Sequence, residues 1–372
     1  MKEQMKSIIN KLGAILFLVL IVGFTSLVVF SKAQDQNYHA AKYFDQLENK
    51  TVRCNLCPNQ CVLKPDQIGI CKARKNIEGK LVSLVYGLIA SKHIDPIEKK
   101  PLYHFLPGSK AYSSATTGCN LACKFCQNWQ ISQIFPWEIK TEKTSPEKVV
   151  KDALKSGAKS IAFTYNEPTI FYEYMLDIAK LAHKKGLKIV VISAGYINPE
   201  PLKELLPYID AYKIDFKGFG EDFYQSMTNG HFAPVLETIK TIKKNGVWLE
   251  LVNLVIPGEN DSDEKLKGLI SWVKGNLGED VPLHFTRFHP DYKLTNLPPT
   301  PEDTLKKARK MAMDAGLKYV YTGNIYDPEG STTYCPNNKE PAITRQGFFI
   351  TQYNLSKDGQ CKDGEKIPGV WE

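Results

Sequence analysis

Three cysteines, Cys119, Cys123 and Cys126, stand at C-x3-C-x2-C spacing in one short loop, Thr117 to Trp129, directly after an apolar run from Ala111 to Thr116. Zinc favours four nitrogen or sulfur ligands, commonly two CxxC pairs. A cubane iron–sulfur cluster takes cysteine thiolates, one per iron. Three thiolates leave one iron of such a cluster without a protein ligand, and an open position is what a catalytic metal site keeps and a structural one closes. The plainer alternatives are reduced buried cysteines or a partial zinc site. A second set, Cys54, Cys57, Cys61 and Cys71, has C-x2-C-x3-C-x9-C spacing. Its four thiolates suffice to close a zinc site or to hold a second iron–sulfur cluster, in a structural or electron-relay role. A module this small would gain its fold from that metal.

The elements that must position these residues are legible from Pro146 onward. Helical stretches end at Gly157, Gly186, Gly246 and Gly316, and an apolar strand follows each: Ser160–Tyr165, Lys188–Ser193, Val247–Val255 and Leu317–Tyr321. Two more strands fit between them, Asp210–Phe216 and Pro282–Phe288. The Gly-to-Gly intervals of 29, 60 and 70 residues are near one or two multiples of a βα unit. Repeated βα units with near-continuous apolar strands predict a parallel sheet with helices outside. Ahead of them, Leu81 to Ser91 reads as a strand and Asp95 to Phe105 as a proline-punctuated loop.

Ligands in such folds gather at the carboxyl ends of the strands. There the sequence places Tyr165-Asn166-Glu167-Pro168, then Ser193-Ala194-Gly195, Lys213-Ile214-Asp215-Phe216-Lys217, and Arg287-Phe288-His289-Pro290. Strand alternation puts Lys213, Asp215 and Lys217 on one face. Three charges at a buried strand end are costly unless they pair with one another or meet a ligand. Glu167 before Pro168 is also a common helix cap, and Ser193 fits simple turn chemistry.

The combination resembles a known family. A cysteine-rich module, then Asp95-Pro96-Ile97-Glu98-Lys99-Lys100-Pro101-Leu102-Tyr103-His104-Phe105, then the cysteine trio with Phe125 before its last member and Gln127-Asn128-Trp129 after it, is similar to the radical S-adenosylmethionine (SAM) superfamily. Within it the match, from about Arg53 to the C-terminus, resembles the radical SAM enzyme of the AmmeMemoRadiSam system, related to the pyruvate formate-lyase activating enzymes. The resemblance implies an α/β fold, a partial, open TIM-like β/α barrel. It implies that Cys119, Cys123 and Cys126 hold a 4Fe-4S cluster whose open iron is chelated by SAM, and that reductive cleavage of SAM yields a 5′-deoxyadenosyl radical that abstracts hydrogen from a substrate. Phe125, Glu167, Ser193, Asp215, Lys217 and His289 fall at positions that contact SAM or its cluster in relatives. Tyr165-Asn166 replaces the superfamily's two glycines, and Ala194 replaces an amide. Val255 to Asp261 resembles an architectural turn. The implied partners are SAM, a flavodoxin- or ferredoxin-like reductant, and a protein substrate, AMMECR1- or Memo-type proteins among the choices. One alternative in the same class is a glycyl-radical enzyme activating enzyme. The other, a metal-stapled membrane-associated binding module without catalysis, is opposed by the retained trio, Glu167 and Asp215.

The net charge of +8 comes with lysines grouped before glycines, as at Lys184-Lys185 and Lys243-Lys244, where cations suit helix C-termini. No basic stripe interleaved with aromatics indicates nucleic acid. At the N-terminus Lys2, Lys6 and Lys11 flank an uncharged apolar run, Leu12 to Phe30, long enough to cross a bilayer. Its length favours a membrane anchor over a signal peptide. The lysine bias puts the remainder outside the cytoplasm, whereas thiol clusters belong in a reducing compartment, and the chemistry favours that side. The segments are therefore 1–33 (signal or anchor), 34–110 (cysteine-rich module and β extension), 111–325 (barrel) and 326–372 (tail). Relatives commonly carry a zinc-ribbon CxxC at Cys335 and at Cys361, but Asn338 and Gly364 stand in the second positions here. No metal is expected there, and the two thiols are free, or paired as a disulfide if the domain is exported.

Overall fold

The apolar runs become one curved sheet. A computed structural model describes residues 38–372, and Ala40–Glu372 form one compact unit. The sheet contains β1 (Ser91–Pro96), β2 (Lys110–Ala115), β3 (Ser160–Phe163), β4 (Lys188–Ser193), β5 (Ala211–Asp215), β6 (Trp248–Val255), β7 (Leu283–Arg287) and β8 (Val320–Gly323). The strands pair in the order in which the chain makes them. β1 is antiparallel to β2, and every other neighbour is parallel. A doubly wound sheet needs a reversal of strand order. None occurs, so right-handed crossovers lay the helices on one side and the sheet curls one way. β1 and β8 do not pair with each other, which leaves the barrel open.

The outer layer is α1 (Pro146–Lys155), α2 (Tyr172–His183), α3 (Pro199–Leu205), α4 (Phe232–Lys244), α5 (Asp263–Leu277) and α6 (Glu302–Asp314). Ser145 and Ser262 cap α1 and α5, each accepting at 3.3 Å from an amide three residues on. The helix-ending glycines read from the sequence all have positive φ, from 70° at Gly157 to 99° at Gly316. β3 is buried at every position and β4 at all but its first, as expected for strands covered on both faces.

Two local readings are corrected. Residues 81–91 are not one strand: Lys80–Ser83 pairs with Arg74–Ile77, Leu88–Ile89 pairs with Glu142–Lys143, and Gly87 at φ +72° turns the chain between them. The proline-punctuated stretch is partly regular, because Asp95 and Pro96 end β1 and Ile97–Lys99 make a 3₁₀ turn. Pro96 is tolerated because β1 lies at the sheet edge. The cysteine-rich module is built from strands of only two to four residues. In the tail, β9 (Thr333–Tyr334), β10 (Pro341–Gln346) and β11 (Phe349–Tyr353) form a small antiparallel sheet, and Cys335 and Cys361 are joined by a disulfide. The apolar run Leu12–Phe30, read as a membrane helix, lies outside the described residues. Among the described residues no helix is long and apolar enough to cross a membrane.

Candidate active site

The cysteine loop leaves β2 at its carboxyl end. Residues 111–117 are all buried, so the chain must turn without opening the core. It turns at Gly118, whose φ is +92°. A Cβ there would lie 2.2 Å from the Cys71 carbonyl oxygen, so the turn requires glycine. Backbone bonds then fix the loop. Gly118 N–H donates to Ile131 O (2.9 Å), Ala122 N–H to Thr228 O (2.8 Å) and Lys124 N–H to Met227 O (2.9 Å). The last two carbonyls belong to a single π-helical turn, Tyr224–Thr228, closed by Asn229 in the left-handed conformation. Such turns expose carbonyls that an α-helix would use internally. Asn120 Nδ2 adds a bond to Tyr196 O at 2.8 Å.

The loop holds Cys123 buried and Cys119 and Cys126 half-buried, within electrostatic reach of one another. Burial raises the Cys119 thiol well above its ordinary value, and the nearby Glu167 carboxylate adds to this. Burial pushes Cys123 up to about 11 against the opposing pull of Lys217. Without a metal Cys119 and Cys123 therefore carry thiols, and metal uptake must release their protons. Among the described residues no three His, Cys, Asp or Glu side chains converge on one ion-sized point. A cubane does not ask for that, since each thiolate serves a separate iron. The donor set, three thiols with a cation near Cys123 and Cys126, suits an anionic thiolate-bound cluster.

That cation is Lys217. Its Nζ lies 5.7 Å from the centre of the Phe125 ring and 3.6 Å from Asp215 Oδ2. Burial works against the ammonium, but Asp215 and then Cys123 outweigh it and hold Lys217 above its ordinary value. Asp215 also pairs with Lys213, so the expected charge face exists and carries two cations to one carboxylate. Phe125 is buried and meets Phe223 with centroids 6.1 Å apart.

Glu167 is more committed than the sequence implied. Its Oε1 accepts from Thr169 N (3.1 Å), Thr169 Oγ1 (2.7 Å) and Ser193 Oγ (2.7 Å), and Oε2 from Ala194 N (2.8 Å). It caps the turn after β3 and ties that strand end to β4, so only Oε2 keeps acceptor capacity for a ligand. Ser193 Oγ in turn accepts from Gly195 N at 2.9 Å. His289 is exposed, with Nδ1 3.3 Å from Gln127 Nε2, one residue past Cys126. All six sequence-predicted SAM positions thus lie on the trio loop or at the carboxyl ends of β3, β4, β5 and β7.

The substitution Tyr165-Asn166 has a structural reason. Asn166 Nδ2 donates to the Gly118 carbonyl at 2.9 Å and holds the start of the cysteine loop. Tyr165, at φ +70°, reaches the Asp95 carboxylate, which also accepts from the buried Lys100 ammonium at 2.6 Å. Burial brings Lys100 down to about 8 despite Asp95. Sequence reasoning missed this trio. It also missed Glu250, a buried carboxylate inside β6 that accepts from His104 N (2.8 Å), Tyr103 N (2.9 Å), Trp248 Nε1 (3.0 Å) and His284 Nε2 (2.8 Å). A lone acid in an apolar strand was the available signal.

Residues 113–270 match the family model described as Radical SAM superfamily. An uncharacterized protein of Methanocaldococcus jannaschii is 46% identical over 329 residues, 88% of this chain and 98% of that protein. The pyruvate formate-lyase-activating enzyme of Clostridium pasteurianum is 24% identical over 213 residues, 52% of this chain and 86% of its own. Among solved structures, a domain of a pyruvate-formate lyase-activating enzyme from Bacteroides vulgatus is 17% identical with a TM-score of 0.40, covering 44% of this chain and 99% of that one. The thiol loop at the end of β2 agrees with the family model and the curated relatives, and the chain belongs to the radical SAM superfamily.

Proposed function

We propose that Cys119, Cys123 and Cys126 hold a 4Fe-4S cluster, that SAM binds beside it over the strand ends, and that the enzyme abstracts hydrogen from a protein or peptide substrate. The observation that carries this reading is the loop itself: three thiols and no fourth, with the Lys217 ammonium near Cys123 and Cys126. When bound, the cluster supplies the electron that cleaves SAM, drawn from a flavodoxin- or ferredoxin-like donor. The chain's residues do the rest. Lys217 offsets the negative charge of the thiolates, while Asp215 fixes Lys217 and offers a carboxylate edge to the cationic part of SAM. Phe125 shields the thiol side from water, and Gln127 with His289 borders the open rim. Glu167 and Ser193 keep the two neighbouring strand ends in register.

A cavity of about 340 Å³ lies at the carboxyl ends of β7 and β8, lined by none of the trio cysteines or the six SAM positions, and could hold a part of the substrate remote from the cluster. Glu98 and Arg345 are among its lining residues and are ion-paired with each other at 3.9 Å. The name of another Methanocaldococcus jannaschii relative, a glycyl-radical enzyme activating enzyme 27% identical over 242 residues, favours a second reading, activation of a glycyl-radical enzyme. It differs in substrate only. Leu12–Phe30 would tether the enzyme to a membrane with the barrel on the reducing side. The test is anaerobic reconstitution, reduction with dithionite and assay for 5′-deoxyadenosine. Wild type should produce it and the Cys119→Ala/Cys123→Ala/Cys126→Ala variant should not. Equal yields from the two would overturn the assignment.

A further inference from the structure

Cys54, Cys57, Cys61 and Cys71 surround a cavity of about 20 Å³ in the N-terminal module. Three of them are at least nine-tenths buried and Cys61 is half-buried. The sulfurs of Cys71 and Cys61 both turn toward Gly69, within 3.6 and 3.9 Å of where its Cβ would be. All four are free thiols, although the same chain closes a disulfide between Cys335 and Cys361. Two buried polar groups on the wall also lack partners. Arg74, 1% exposed, spends one end of its guanidinium on Glu173 (2.6 and 2.8 Å) and on Lys42 O (2.9 Å), and its Nε has no acceptor. Asn120, also 1% exposed, donates through Nδ2, and its Oδ1 is unpartnered. A buried guanidinium N–H without an acceptor is costly, and four packed thiols are poor acceptors. Four thiolates on a metal carry net negative charge and would accept from it.

We propose that these four cysteines bind a thiophilic metal in a four-thiolate centre, charge-balanced by Arg74, which clamps the base of the catalytic loop; the four side chains line one cavity without converging on one ion-sized point, so metal uptake must draw the sulfurs together. The clamp is direct. Asn59 Nδ2, between Cys57 and Cys61, donates to Asn120 O at 2.7 Å, and the Cys71 carbonyl packs against Gly118. Asn120 is the residue next to Cys119. With short strands and no core of its own, the module gains its rigidity from the metal and passes it to the loop. Zinc and an iron–sulfur cluster share the thiolate chemistry, and the metal count separates them.

The full chain with Cys119→Ala/Cys123→Ala/Cys126→Ala is reconstituted anaerobically with iron, sulfide and zinc, then desalted and assayed. It should retain about one zinc, or about four iron with matching sulfide, per chain. Adding Cys54→Ser/Cys71→Ser should remove that metal. A trio-less chain holding no more metal than the variant lacking all seven cysteines overturns the proposal, and does so whatever the trio itself binds. A second measurement needs no variant: in the reconstituted wild type, iodoacetamide should label Cys54, Cys57 and Cys71 at least ten-fold more slowly than after chelation. Equal rates before and after chelation also overturn it. Arg74→Gln should speed metal loss at least ten-fold.

Discussion

Replacing Gly118 with alanine strikes the turn that launches the cysteine loop. Two effects add. At φ +92° a residue with a Cβ is strained by about 1–2 kcal/mol. The new Cβ would also lie 2.2 Å from the Cys71 carbonyl oxygen and must open to at least 3.4 Å, so the loop base and the Cys71 turn separate by about 1.2 Å. Overpacking of that kind costs about 1–3 kcal/mol. The sum, about 3 kcal/mol, lowers Tm by about 5 °C in a chain of this size. The displacement falls on the residue before Cys119, so cluster loading should drop by more than half. Gly157→Ala is the control, since φ there is +70° but nothing lies within 4 Å of the added Cβ. It should cost only the strain of about 1 kcal/mol and leave iron content unchanged. The assay is a thermal melt with iron and sulfide quantification after identical reconstitution. If the two variants match in Tm and in iron content, the argument from close packing against Cys71 is wrong.

Other expectations follow from the charged network. Glu250→Gln leaves four donors facing an amide that cannot accept from them all, and should cost about 3–5 kcal/mol in urea unfolding; a loss below 1 kcal/mol would contradict this. Burial, opposed by Glu250, brings His104 down to about 4 from 6.5. The folded state then binds fewer protons than the unfolded state between those values, so this contribution is intact above pH 6.5 and lost as pH falls toward 4, amounting to about 3 kcal/mol. Melts from pH 7 to pH 4 should show that slope, and His104→Asn should flatten it. Asp215→Asn leaves Lys213 and Lys217 without their carboxylate and should weaken SAM binding to the reconstituted enzyme at least ten-fold by titration calorimetry; an unchanged Kd would remove Asp215 from the site. Mass-shift alkylation of freshly lysed cells reports on Cys335 and Cys361, which the structure joins: on the reducing side proposed above they should be found free, and finding them paired would put barrel and tail on the oxidising side of the membrane.

The barrel was legible because its strands are buried on both faces and therefore written as apolar runs, each announced by a helix-ending glycine. The trio loop was legible because metal chemistry fixes residue type and spacing. What stayed hidden depends on pairs remote in sequence. Nothing local says that Asn166 will hold the Gly118 carbonyl, or that Arg74 will find Glu173, 99 residues away. Glu167 reads from the sequence as a SAM contact or a helix cap, and in the structure three of its four bonds go to Thr169 and Ser193 within the strand-end turns. A capping carboxylate and a ligand carboxylate look alike until their acceptor sites are counted. The stretch after Leu81 misled because an apolar run of eleven residues conceals the turn at Gly87.

The central claim is that a cluster on Cys119, Cys123 and Cys126 keeps one iron open for SAM. Electron paramagnetic resonance of the reconstituted, dithionite-reduced wild-type chain, with the spectrum of the Cys119→Ala/Cys123→Ala/Cys126→Ala chain subtracted to isolate the trio, tests it directly. Adding SAM should shift the g-values of the reduced signal. A reduced signal that superimposes with and without saturating SAM would contradict the account.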